Sequence, residues 1–128
     1  MYNLALFMLS SIVLGNDDII LGGPKIIDDD FASKLYHNTV KHLSSKCKPN
    51  ENDLLCNTLS TIKLHEISKA TEQIVNGKLY DLKMLTNSGN LHMNIWQKTA
   101  PIRYVLQNFK IDNTEFLTEA LDMTGPHF

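Results

Sequence analysis

Residues 70–84 read Ala70-Thr71-Glu72-Gln73-Ile74-Val75-Asn76-Gly77-Lys78-Leu79-Tyr80-Asp81-Leu82-Lys83-Met84. Asn-Gly is a strong two-residue hairpin signal, because both residues tolerate the positive φ that the tightest strand-joining turns require. Beyond it, Tyr80, Leu82 and Met84 alternate with Asp81 and Lys83. That period of two belongs to a strand with one buried face. Residues 70–75 read as the extended partner strand, so a β-hairpin centred on Asn76-Gly77 is the seed of the fold. Upstream, Ile62 and Leu64 alternate with Lys63 and His65, and Glu66-Ile67 then shifts the phase. A one-residue phase shift in a strand indicates a bulge or a strong bend. Downstream, Thr86-Asn87-Ser88-Gly89-Asn90 is a second turn, and Leu91, Met93 and Ile95 alternate with His92, Asn94 and Trp96. Lys98-Thr99-Ala100-Pro101 is a third turn. Ile102, Tyr104 and Leu106 begin a last strand, expected to end near Lys110.

The pattern before this meander is helical. Ala32, Tyr36, Val40, Leu43 and Cys47 recur at intervals of three and four, with Phe31 and Leu35 beside them. They form a single apolar stripe, which predicts a helix over residues 30–46. Asp28-Asp29-Asp30 sit where carboxylates cap a helix and favour the positive end of its dipole, and Lys41, His42 and Lys46 lie near the negative end. The aspartates lack the alternating spacing and sixth-position glycine of a calcium loop, so they are read as caps. One helix followed by four strands joined by tight turns predicts an α+β architecture, an antiparallel meander with the helix packed on its face. The tail, residues 111–128, is expected to be loose or to form a short helix over residues 114–121.

The composition is that of one ordinary globular domain: 43% apolar and 20% charged residues, with 12 basic against 14 acidic. A net charge of −2 excludes a strongly basic nucleic-acid binder and a highly charged disordered tail. Residues 4–14 are almost wholly apolar and have the length of a signal-peptide core, with Val13 and Gly15 suited to a cleavage site. The expectation is a signal peptide over residues 1–15 and a secreted chain beginning near Asn16. A buried first strand or helix is the alternative. In an oxidising compartment, Cys47 and Cys56, nine positions apart around a polar, turn-rich segment, are expected to pair. Closing so short a loop is worth roughly 2–3 kcal/mol. No Asn-x-Ser/Thr sequon occurs.

Gln73-Ile74-Val75-Asn76-Gly77 resembles the Gln-x-Val-x-Gly first hairpin loop of the cystatins, protein inhibitors of papain-like cysteine proteases. Gly22-Gly23 lies one helix upstream, where that family carries a glycine. Lys69-Ala70-Thr71-Glu72 leads into the loop as in plant-type members, and Asn94-Ile95-Trp96-Gln97-Lys98 is similar to the strand before the family's second loop. The resemblance covers residues 21–110. It implies a cystatin-like domain over residues 16–110, with the sheet wrapped around one long helix. It also implies reversible inhibition of cathepsin-type proteases, with three segments occupying the active-site cleft. Those segments are Gly22 and Gly23; Gln73, Ile74, Val75, Asn76 and Gly77; and Thr99, Ala100 and Pro101. Ile20 and Leu21 would then fill a substrate-like apolar pocket. The family's second loop carries Pro-Trp, and this chain has Thr99 and Ala100 in those places. A non-inhibitory secreted binding protein or effector on the same fold is therefore the alternative. A helix-on-sheet carrier of small apolar ligands is a third.

No nucleophile elbow, phosphate loop or His-Glu-x-x-His motif occurs. No enzymatic activity, cofactor, metal, nucleic acid or membrane partner is expected. The five histidines show no metal-ligand spacing and are read as surface residues. Trp96 falls on the strand face opposite Leu91, Met93 and Ile95 and reads as a partly exposed aromatic. A monomer is expected, with exchange of the first hairpin as the route to a dimer.

Overall fold

A computed structural model describes residues 23–50 and 52–128. The expected signal peptide, Gly22, Leu21 and Ile20 lie outside the described residues. The described elements are β1 (Lys25–Ile26), α1 (Asp29–Ser45), α2 (Leu54–Leu59), β2 (Leu64–Ile74), β3 (Lys78–Thr86), β4 (Gly89–Thr99), β5 (Ile102–Ile111), β6 (Thr114–Glu115) and β7 (Leu121–Asp122). The strands form one antiparallel sheet in the order β1-β2-β3-β4-β5-β6, with β7 also paired to β5. The expected α+β meander is therefore present.

Helix α1 starts where the acidic run predicts. The Asp28 carboxylate accepts from the Asp30 N–H at 2.7 Å, and Asp29 and Asp30 occupy the first turn. Its buried stripe, Ala32, Leu35, Tyr36, Thr39 and Leu43, lies on the sheet face formed by Ala70, Tyr80, Leu82, Met84, Leu91, Met93, Ile95, Leu106 and Phe109. Phe31 meets Tyr80 edge-to-face at 5.4 Å between ring centroids, tying the first turn of α1 to β3. Two phase changes bend β2, at Leu64/Glu66 and at Ile67/Lys69. They bracket the Glu66-Ile67 shift read in the sequence.

Three features depart from the expectations. The segment between the cysteines holds the start of a second helix, α2, capped by the Asp53 carboxylate on the Cys56 N–H at 3.1 Å. Six residues are too few for a helical period to show against a turn-rich composition. The Cys47–Cys56 disulfide is formed and fastens α2 to the end of α1. The tail is strand rather than helix: β6 pairs with the last two residues of β5 and β7 with its middle, and Met123 is fully buried. The Thr124 amide and hydroxyl, and then the Arg103 guanidinium, hold the Asp122 carboxyl down to about 2 and anchor β7. Finally, His42 is buried rather than at the surface, with His127 of the tail facing it at 6.4 Å. Its burial, with Lys46 and His127 adding to the effect and Asp122 opposing it, lowers its pKa below the usual 6.5. Among the described residues, no helix is long and apolar enough to cross a membrane.

Candidate functional site

One end of the sheet gathers three of the sequence segments singled out above. The β2–β3 connection is Val75-Asn76-Gly77, flanked by the Ile74–Lys78 pair. Lys78 pairs in turn with Gln97 of β4, so the β4–β5 turn at Ala100-Pro101 sits at the same end. Strand β1 runs antiparallel to β2, with Lys25 opposite Glu72 and Ile26 opposite Thr71. The chain therefore enters β1 from the side of the tip, with Gly23 and Pro24 just before the ladder. Residues 73–77 and residues 99–101 thus share one rim, and Gly23 precedes by two residues the start of β1, which pairs beside the tip.

The β2–β3 tip is tight for a local reason. Asn76 and Gly77 both have positive φ, 51° and 118°, and the Val75 N–H donates to the Gly77 carbonyl at 3.0 Å. Gly77 is also close-packed: a Cβ there would fall 2.3 Å from the Gln97 carbonyl oxygen and 3.3 Å from the Trp96 indole nitrogen. Gly23 is different, with nothing within 4 Å of such a Cβ. Apolar side chains face outward along the rim. Ile74, Val75 and Ile102 are 54%, 46% and 58% exposed. Gln73 is half-buried beside them, while Thr99, Ala100 and Pro101 are exposed.

Trp96 has a role that sequence reasoning missed. It lies on the open face of the sheet, as its alternation indicates, between Leu79 and Val105 on the neighbouring strands. Its ring backs onto Gly77, and the Lys98 ammonium stands 4.8 Å from the ring centroid. Trp96, Val75, Leu79 and Gln107 line a shallow hollow of about 160 Å³ just below the tip. The indole is half-buried, in keeping with the partly exposed ring expected, and it also braces the two hairpins. Strand alternation fixes its face, but only the pairing of Leu79 with Trp96 places it under Gly77.

Tyr80 supports the rim from the core side, its hydroxyl donating to Gln97 Oε1 at 3.1 Å. Burial, with Glu72 and Tyr104 contributing, pushes that phenol above its usual range, so it stays a neutral donor. Among the described residues, no three His, Cys, Asp or Glu side chains converge on a point where a metal could sit. The rim offers apolar area and amide groups. No protein-family model, curated protein or solved structure matches this chain.

Proposed function

We propose that this chain is a secreted, reversible protein inhibitor of papain-like, cathepsin-type cysteine proteases, built on a cystatin-like fold whose sheet wraps around α1, and that it is not an enzyme. The observation that carries the reading is the shared rim. The Gln73–Gly77 tip and the Thr99–Pro101 turn lie at one end of the sheet, and Gly23 leads into β1 beside them, which supports the sequence resemblance. In this reading the tip enters the protease cleft. Its conformation is already set by Asn76, Gly77 and the Trp96 brace, so little ordering entropy is lost on binding. Ile74 and Val75 supply apolar area at the centre of the contact, and Gln73 an amide for main-chain hydrogen bonds. Gly23 adds no side chain where the two backbones would approach most closely. The Cys47–Cys56 disulfide supports an oxidising, extracellular setting.

A second reading, a binding protein on the same fold without inhibition, is favoured by the second turn. Thr99 and Ala100 stand where the family carries Pro-Trp, and Trp96 is turned back onto Gly77 instead of outward. Titration of active-site-calibrated papain and a cathepsin L-type enzyme with the purified protein separates the two. The proposal expects stoichiometric, reversible loss of peptidase activity against at least one of them. Full activity of both at micromolar protein, with the fold intact by circular dichroism, overturns it in favour of the second reading.

A further inference from the structure

The last residues form a strap along β5. Strand β7 pairs with β5 through two residues only, Asp122 with Val105 and Leu121 with Leu106. Beyond that pairing the Met123 N–H donates to the Tyr104 carbonyl at 2.7 Å, and the Tyr104 N–H donates to the Thr124 hydroxyl oxygen at 2.9 Å. The Phe128 ring lies against the Tyr104 ring, 5.0 Å between centroids. The Arg103–Asp122 ion pair is exposed and holds the strap only weakly. Met123 is the apolar anchor, and among the described residues it is the one core position that the chain beyond Ile111 supplies. The body of the fold therefore takes little of its core from the strap.

Two imidazoles meet where the strap faces α1. His42 is buried, and its Nε2 has no hydrogen-bond partner among the described residues. His127 of the strap faces it edge-on, with ring centroids 6.4 Å apart and planes at 85°. The charged groups around His42 are Lys46 at the C-terminal cap of α1 and His127 and Asp122 of the strap. Lys46 and His127 work against a proton on His42, and Asp122 favours one. The Asp122 carboxylate is already engaged by the Arg103 guanidinium and the Thr124 N–H. A neutral ring is tolerated in this place. An imidazolium would be a buried charge without a carboxylate of its own, beside an ammonium and a second imidazole.

We infer that the strap is an acid-released latch: protonation of the facing His42 and His127 rings lifts residues 121–128 from β5 and α1 while the helix and the β2–β5 ladders stay folded. In the closed strap, burial first, and then Lys46 and His127, hold His42 below its usual 6.5. Opening returns the ring to water, where it binds a proton more tightly. The strap is therefore closed above 6.5 and opens increasingly as pH falls below it. Release leaves the outer edge of β5 unpaired at residues 104–106 and uncovers the Tyr104 ring. An unpaired strand edge is a template for another strand, so acid turns a covered edge into an available one. The latch involves no protease and stands whether or not the chain inhibits one.

The test is native-state hydrogen exchange of the full chain at pH 7 and pH 5, with each rate corrected for the intrinsic pH dependence of amide exchange. The Met123 and Tyr104 amides, which bond across the strap, are expected to lose about tenfold in protection at pH 5, the factor for one proton taken up on opening over roughly one pH unit. Amides of the β3–β4 ladder are expected to keep theirs within about twofold. His42→Leu should abolish the loss at the strap, and His65→Gln, at an exposed position on β2, should leave it intact. If His42→Leu does not fold, His127→Gln, at a half-buried position, takes its place and should cut the loss by about twofold or more. Equal strap protection at both pH values overturns the inference. Equal losses in strap and ladder overturn it too, since acid would then be loosening the whole fold. So does a loss that persists in His42→Leu or is unchanged in His127→Gln.

Discussion

Gly77→Ala is the sharpest test of how the β2–β3 tip is built. At φ 118° an alanine lies well outside the left-handed well and carries backbone strain of about 1–3 kcal/mol. Its Cβ would also sit 2.3 Å from the Gln97 carbonyl oxygen, backbone held in the β3–β4 ladder, so the tip must shift by close to an ångström. Overpacking of that kind adds a further 1–3 kcal/mol or so. A combined cost of about 3 kcal/mol, at roughly 4–8 °C per kcal/mol for a domain of about 100 residues, lowers Tm by about 12–24 °C. The chain has a single tryptophan, so intrinsic fluorescence reports directly on the Trp96 ring against this glycine. Its emission should shift as the ring loses its cover. Gly23→Ala is the matched control: with open space around the added methyl, its melting curve should overlay the parent's. The reasoning is refuted if Gly77→Ala melts within about 2 °C of the parent with unchanged emission, which would mean that neither strain nor close packing operates at this turn.

Val75→Asp, at the exposed tip, should leave the circular dichroism unchanged while weakening papain inhibition by about 30-fold or more, the equivalent of about 2 kcal/mol from a charge desolvated without a partner; parent-like inhibition would reduce the tip to a plain turn. Truncation before Pro24 should weaken inhibition and leave Tm nearly unchanged, since the space around a Cβ at Gly23 is open; an unaltered inhibition constant would remove this segment from the contact. Replacing Cys47 and Cys56 together by Ser should cost about 2–3 kcal/mol in urea unfolding, and mass spectrometry of the unreduced protein should find no alkylatable thiol. The lowered pKa of His42 means that the folded state binds fewer protons than the unfolded chain. Stability should therefore be full above the unfolded value of 6.5 and fall as pH drops through it towards the lower folded value. His42→Leu should flatten Tm between pH 7 and 5, and an equally steep fall in that variant would show the acid response to lie elsewhere.

The sequence by itself determined the long helix, the four long strands and their order. Apolar positions at intervals of three and four over residues 32–47 can bury one stripe only as a helix, and the alternation around Tyr80, Leu82 and Met84 can bury one face only as a strand. Asn76-Gly77 pinned the first hairpin, because few residue pairs accept two positive φ values in succession. The pairing of the cysteines was also legible, being local in the chain. The tertiary structure alone decided what depends on register between distant segments. It made strands of β6 and β7, two residues each and too short to carry a period, because β5 offered them unpaired edges. It set Trp96 under Gly77, brought Val75 and Pro101 to one rim, and buried His42 behind the tail. A side chain's face follows from its own strand, but its neighbours follow from hydrogen-bond ladders between strands, and a one-residue slip in any ladder would have dispersed them.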